Sequence, residues 1–288
     1  MSGAAAWSHG WRLARAKPLG TAGAALVLLM LLMALAAPFL APYDPNAMSM
    51  GERLAGPSGR HLLGTDSFGR DVFSRILYGA QVSLYVGVLA TTLGTICGAF
   101  WGLVSAYLGG LADDLIQRLM DILLALPQLV LAIALVAALG ASVNNVVIAL
   151  AIVLMPSGNR VVRSAALAEK ERQYVEAARC IGCGHGRILL VHLLPNVTAP
   201  IIVLASVVLG IAILTEASLS FLGLGPPPPA ATWGSMLALE GQKYFEEAPG
   251  LALFPGVAIS LAVLGINFLG DALRDLWDPR LRGRGMGG

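Results

Sequence analysis

Hydrophobic and polar residues occur in long separate blocks along the chain. The runs without a charged residue are 19–42, 76–112, 122–159, 188–215 and 248–270. About 18 or more apolar residues are enough to cross a bilayer as a helix. A turn-like cluster at 140–145, Gly-Ala-Ser-Val-Asn-Asn, divides the third run into two helices. The pattern therefore predicts six spans, at 19–41, 80–108, 115–139, 145–163, 199–221 and 250–270.

The composition agrees with a membrane environment. Charged residues make up 12% of the chain, whereas soluble domains carry about 25%. The first span could be taken for a signal peptide, because Arg12, Arg15 and Lys17 precede it. Its uncharged stretch is longer than the roughly 7–15 residues of a signal core, so we expect an uncleaved helix. The predicted fold class is an all-α integral membrane protein.

The basic residues predict the orientation, because Lys and Arg concentrate on the cytoplasmic side. They cluster before the first span, between the fourth and fifth spans, and after the last. Both termini are therefore expected in the cytoplasm. The resulting division is a cytoplasmic N-terminus (1–18), a first helix (19–41), an external segment (42–79), a five-helix core (80–270) that includes a cytoplasmic loop (164–198), and a cytoplasmic tail (271–288).

Two local patterns concern packing near the second span. Apolar residues recur at helical spacing over 66–77, which predicts an amphipathic helix in the membrane interface, or else an early start of the second span. Gly94, Gly98 and Gly102 follow at four-residue steps. Small residues in that register let two helices approach closely in lipid.

The segment between the fourth and fifth spans has the most specific sequence. Residues 169–181 are polar and favour a helix, and glycines at 182, 184 and 186 interrupt it before a helical pattern resumes at Arg187. This pattern predicts two short cytoplasmic helices joined at a glycine hinge. Such an exposed pair, with small residues at Ala177 and Ala178, suits docking onto another protein.

The same segment carries a family resemblance. Glu176-Ala177-Ala178, followed by Gly182 and later by Leu194-Pro195, resembles the coupling-loop motif of permease subunits in binding-protein-dependent ABC importers. That motif has an aliphatic residue two positions before Leu-Pro, where this chain has His192. The segments 63–66, 69–71, 216–225 and 270–275 are similar to the C-type permease of dipeptide, oligopeptide and nickel importers.

The resemblance implies a type I ABC importer permease in a bacterial inner membrane. It implies a heterodimer with a B-type permease, two ATPase subunits that bind ATP and Mg²⁺, and an extracytoplasmic solute-binding protein. The loop around Glu176 and Gly182 would couple ATP hydrolysis to the translocation pathway. The solute is expected to be a di- or oligopeptide, with nickel or a metal chelate as the alternative. We expect lipid but no nucleic acid as a further partner.

The remaining chemistry of the chain argues against catalysis and cofactors. None of its three lysines lies in the Gly-Lys-Ser/Thr sequence of a phosphate-binding loop, so ATP is expected on another chain and this subunit is expected not to be an enzyme. Cys180 and Cys183 lack a second, distant ligand pair, so no metal is expected there. An ion-coupled secondary transporter is a remote alternative, and the spans hold no midplane acid cluster that would favour it.

Three acidic residues carry further predictions. Glu216 in the fifth span is a candidate for a pore or partner contact, because an acid inside the membrane is costly; the alternative is that it reaches water near the outer face. Glu240 is expected in an outer loop. Asp121 is expected to pair with Arg118 on the third span.

Overall fold

The computed structural model describes residues 18–277, and within that range the regular elements are all helices. The predicted N-terminal segment 1–18 and the part of the predicted tail beyond residue 277 therefore lie almost wholly outside the described residues. The helices are α1 (Pro18–Leu35), α2 (Ala37–Leu40), α3 (Val72–Leu108), α4 (Gly110–Leu124), α5 (Gln128–Leu139), α6 (Val143–Lys170), α7 (Gln173–Cys180), α8 (His185–Phe221), α9 (Trp233–Met236) and α10 (Gly250–Trp277).

The described helices confirm an all-α membrane fold. Five of them (α1, α3, α6, α8 and α10) are long and apolar enough to cross a bilayer, and α4 with α5 forms a sixth span if that bent pair crosses as one unit. The described residues therefore contain five or six candidate spans, against six predicted. Large apolar side chains remain exposed along these helices, as lipid-facing surfaces require.

The closest helix pair is α3 with α6, which run parallel. A Cβ atom built on Gly94 would lie 2.8 Å from the carbonyl oxygen of Ala151, and one on Gly98 would lie 2.8 Å from the amide nitrogen of Asn159. Gly102 is similarly close to α6. The predicted glycine register is thus the contact surface of these two helices. Both backbones approach so closely that no side chain fits between them.

The other long helices run antiparallel to their neighbours and define two ends of the bundle. Gly87 of α3 faces Ile213 of α8, and Gly210 of α8 faces Asn267 of α10. We call the end that carries residues 171–184 the loop end, and the end that carries residues 42–71 and 222–249 the cap end. The start of α1 and the end of α10 both lie at the loop end.

The third span differs from the predicted continuous helix at 115–139. Its two halves, α4 and α5, meet at an angle of 91°. Pro127 lies at the break, where it lacks a backbone donor and disfavours a helical conformation at Leu126. Helix α5 has 12 residues, or about 18 Å, which is shorter than the ~30 Å hydrocarbon core. The straight-helix prediction was therefore wrong.

The second span begins earlier than predicted. Helix α3 is continuous from Val72 to Leu108, so the apolar pattern at 66–77 marks the start of this span and not a separate interfacial helix. Asp71 caps α3: its Oδ2 accepts hydrogen bonds of 2.7 Å from both the amide and the hydroxyl of Ser74. This cap satisfies one of the free amides at the helix start.

Asp71 also anchors a buried histidine of the cap. His61 is 6% exposed, and its ring nitrogens lie 2.9 Å from Asp71 Oδ1 and 3.2 Å from Glu52 Oε2. Arg60 lies 3.6 Å from the other oxygen of Glu52. The hydrogen bond with Asp71 raises the pKa of His61, although burial opposes that shift. The cap and the start of α3 are therefore joined through one titratable ring.

We predict that Gly98→Ala destabilises the protein by about 1–3 kcal/mol, because the added methyl group would overpack the contact between α3 and α6. Thermal unfolding in detergent measures the effect. Gly256→Ala in α10 is the matched control, since a Cβ there meets nothing within 4 Å. A Gly98→Ala protein that melts at or above the wild-type temperature would contradict this packing.

We also predict that His61→Gln removes part of the pH dependence of stability. Since the folded-state pKa of His61 is raised, its stabilising contribution is complete below the unfolded pKa of about 6.5 and is lost as pH rises through the folded pKa. The melting temperature of the wild-type protein should fall more between pH 6 and pH 8 than that of His61→Gln. Parallel pH profiles for the two proteins would refute the role of this ring.

Candidate functional site

The candidate site at the loop end is built around α7, which has one buried and one exposed face. Val175 is fully buried and Ala178 is 4% exposed. Both belong to an apolar cluster to which α3, α6 and α8 also contribute, with members Ala99, Leu103, Ala106, Tyr107, Val162, Ala166, Ile188, Leu193 and Val197. Helix α7 therefore shares one apolar cluster with three of the long helices.

The other face of α7 is free. Glu176 and Ala177 are exposed, and the carboxylate of Glu176 forms no hydrogen bond or ion pair with any described residue. Ile181, at the end of the helix, is 81% exposed. A carboxylate, a small residue and a large apolar side chain thus share an exposed surface on which another protein could dock.

Gly182 ends α7 in a defined turn. Its φ is +79°, a conformation that residues with a side chain rarely adopt. The amide of Gly182 donates to the carbonyl of Arg179, and the amide of Cys183 donates to that of Ala178, both at 3.0 Å. This pair of bonds is the Schellman arrangement, which satisfies the last carbonyls of a helix. The glycine of the motif is therefore needed for its backbone conformation.

The sequence pattern predicts a separate second helix in the loop, and this prediction was wrong. Helix α8 begins at His185 and continues to Phe221, with a π-helical turn over Ile188–Leu193. Pro195 has no amide to donate, and the wider turn just before it lets the helix pass this point. Leu194 is partly buried beside the α7 cluster, and Pro195 is exposed.

Polar contacts also fasten the loop to the spans. The hydroxyl of Tyr107, near the end of α3, lies 2.6 Å from Nδ1 of His185, and the guanidinium of Arg179 lies over the same tyrosine ring at 5.6 Å. Lys170 donates to the carbonyl of Ala106 at 3.0 Å. The end of α3 is thus held by residues from α6, α7 and α8.

Tyr174 connects α7 to the start of α8. Its hydroxyl donates to Glu169 at 2.9 Å and accepts from the amide of Asn196 at 3.1 Å. Burial, followed by the hydrogen bond to Glu169, raises the pKa of Tyr174. The phenol therefore remains neutral and keeps its donor at physiological pH.

The two cysteines near the hinge differ in their exposure. Cys180 is exposed and Cys183 is half-buried, and Nδ1 of His185 faces Tyr107. Among the described residues no group of three or more His, Cys, Asp or Glu side chains is arranged to hold a metal ion.

Glu216 is fully buried inside the bundle. Its Oε1 accepts a 2.7 Å hydrogen bond from Ser220, one turn closer to the cap end, and the hydroxyl of Ser83 on α3 is its other polar neighbour. The carboxyl group therefore neither reaches open water nor meets a basic side chain in this subunit.

Two predictions about charged residues were wrong. Glu240 does not lie in a free outer loop: it is 5% exposed, accepts from the amide of Ser67 at 3.2 Å and lies 3.6 Å from Arg70. Asp121 pairs with Arg160 of α6 at 3.0 Å, not with Arg118, because α4 packs against α6.

The sequence pattern also missed a second polar cluster, at the cap end. Arg70 donates to Asp66 at 2.6 Å and approaches Glu240, and Arg75 lies 3.7 Å from Asp66. Four charged side chains are therefore buried together above the spans. The only local signal was the run 66–75 with its alternating charges. Its partner Glu240 lies more than 160 residues away.

Comparisons with known proteins agree with this arrangement. Residues 79–283 match the family described as the binding-protein-dependent transport system inner membrane component. Residues 6–57 match the N-terminal transmembrane domain of oligopeptide transport permease C.

Individual relatives cover nearly the whole chain. The dipeptide transport system permease protein of Alkalihalophilus pseudofirmus is 44% identical over 96% of this chain and 90% of its own length. The glutathione transport system permease protein of Pectobacterium atrosepticum is 43% identical over 96% and 92%. A Brucella suis protein provisionally named as a peptide transport system permease is 46% identical over 91% and 88%. The chain therefore belongs to the inner-membrane components of binding-protein-dependent transport systems, and it is a multi-pass C-type permease subunit of an ABC importer.

Proposed function

We propose that this permease imports short peptides, as one half of a translocation pathway completed by a B-type permease. The observation that carries the proposal is the exposed face of α7, which lies on a cluster shared by three long helices. The relatives named for dipeptides and glutathione support a peptide solute over nickel or a metal chelate. In this proposal two ATPase subunits bind ATP and Mg²⁺, and this chain carries out no catalytic step.

The loop end then faces the cytoplasm, and both chain termini lie on the same side. The distribution of basic residues supports this orientation, as does the position of α1 and α10, whose terminal ends share the loop end with α7. An extracytoplasmic binding protein would deliver the peptide to the cap end.

Coupling follows from how α7 is held. Glu176, Ala177 and the exposed Ile181 would contact the ATPase, while Val175 and Ala178 contact the spans from the opposite face. Gly182 fixes where the helix ends, and Leu194 and Pro195 fix where the fifth span resumes its regular helix. A displacement of α7 would therefore act directly on α3, α6 and α8.

We predict that Gly182→Val uncouples the importer. A side chain in the left-handed conformation costs about 1–2 kcal/mol, and a β-branched one is less tolerated still, so the turn after α7 should rearrange. The assembled complex with its binding protein, reconstituted in proteoliposomes, should show peptide-stimulated ATP hydrolysis and uptake. With Gly182→Val it should lose uptake, through either loss of the ATPases or hydrolysis without transport.

The matched control is Gly186→Val, also in open space but within helical backbone. It should transport peptide at near the wild-type rate. Normal ATPase binding together with normal uptake in Gly182→Val would refute the coupling role. Wild-type complexes that move nickel or a metal chelate but no peptide would refute the proposed solute.

We further predict that Tyr107→Phe loosens the loop without unfolding the spans. Loss of one neutral hydrogen bond, worth about 1 kcal/mol, should raise hydrogen exchange at the amides of residues 183–188 by roughly fivefold. Tyr85→Phe is the control, because that ring is 44% exposed and its hydroxyl has no partner among the described residues. Unchanged exchange in Tyr107→Phe would show that the contact with His185 does not hold the loop.

A further inference from the structure

A cavity of about 730 Å³ opens at the cap end, between the cap segment 42–71 and the return segment 222–249. Sites for small molecules usually have volumes of 300–1,000 Å³. Its lining includes the apolar residues Phe221, Leu239 and the prolines 226–229. The lining also includes the charged residues Arg70, Arg75, Glu240 and Lys243. No residue of the α7 site takes part in this cavity.

The two arginines are almost buried, but not all of their guanidinium nitrogens have a partner. Arg70 is 7% exposed and Arg75 is 5% exposed. Arg70 uses Nε for Asp66 and Nη2 for Glu240, and Arg75 uses Nε for Asp66 and Nη1 for the carbonyl of Pro45. One terminal nitrogen on each guanidinium, Nη1 of Arg70 and Nη2 of Arg75, therefore has no partner among the described residues.

The charges around the cavity favour an anion. The arginines and Lys243 supply three positive charges, and Asp66 and Glu240 supply two negative ones. The ammonium group of Lys243 lies 5.1 Å from the ring of Tyr244 and pairs with no carboxylate of the part of the chain that the structure describes. Guanidinium groups bind carboxylates in fixed, often bidentate geometry, and both arginines line this cavity.

We propose that the cap-end cavity binds the terminal carboxylate of a short peptide through Arg70, Arg75 and Lys243. The inference rests on the proposed peptide import, and adds to it a solute site on this chain. The apolar part of the lining suits the variable side chains of peptides, because it offers contact area without directional hydrogen bonds. The carboxylate is the one feature, apart from the backbone, that all unblocked peptides present.

The test uses dialanine and dialanine amide as probes, with the assembled importer in nanodiscs, without ATP and without the binding protein. Calorimetry should show dialanine binding at least about tenfold more tightly than the amide, which lacks the carboxylate charge. Lys243→Met keeps the contact with Tyr244 and removes the charge, and Arg75→Lys keeps the charge and removes the planar fork. Each should reduce the preference for the free carboxylate about tenfold or more.

Arg60→Met is the matched control, because its side chain is 84% exposed and lies outside the cavity. It should leave the preference unchanged. Equal binding of the two probes, no binding of either, or an unchanged preference in both cavity variants would overturn the proposal. Competition by acetate or inorganic phosphate as strong as by dialanine would overturn the peptide assignment.

Two outcomes separate this inference from the proposed function. If the wild-type importer transports dialanine and dialanine amide equally well, peptide import stands and the carboxylate site falls. If the cavity variants lose affinity for the empty binding protein but keep the dialanine preference, the cavity is a docking site for that protein and the inference is overturned.

Discussion

The structure depends on the close approach of α3 and α6 along their glycines. In lipid, apolar side chains gain little by leaving their surroundings, so helix association relies on close van der Waals contact. Gly94 and Gly98 allow that contact, since a Cβ atom on either would fall within 2.8 Å of the α6 backbone. The parallel pair then brings the ends of two long helices, at Leu108 and Lys170, to the same side of the bundle. These two helix ends carry part of the apolar cluster against which α7 packs, and we call this surface the platform for α7.

That platform makes α7 part of the bundle instead of a linker. A solvated linker would have few buried contacts, whereas Val175 and Ala178 belong to a buried apolar cluster with residues of three long helices. Tyr107 adds a second connection, because α3 ends in a hydrogen bond to the first residue of α8. A displacement of α7 is therefore expected to move the spans that contact it.

Local patterns predicted the features that depend on local physics. Apolar runs marked the spans, and the glycine register marked the contact of α3 with α6. The break at Pro127 had a local signal too, but the uncharged run around it suggested one straight helix. Glu240 could not be placed from its neighbours, because its partners Ser67 and Arg70 come from a segment more than 160 residues earlier. Such pairings are set by the fold and leave no periodicity in the sequence. The burial of Glu216 could not be predicted from the sequence either, since its distance from the end of the span does not show which neighbours surround it.

The two ends of the molecule are connected by the same helices. Helix α3 is capped by Asp71, which holds His61 of the cap end, and its last turn contains Tyr107 at the loop end. Its 37 residues span about 55 Å. Helix α8 runs the opposite way, from the π-turn beside α7 to Ser220 on the cavity wall. Because each helix is held at both ends by packed or charged contacts, a tilt imposed at α7 must reposition the cap cluster as well. If α7 couples to ATP hydrolysis and the cap-end cavity binds solute, as proposed, the rigidity of two helices suffices to coordinate the two ends, without a relay of side chains through the membrane.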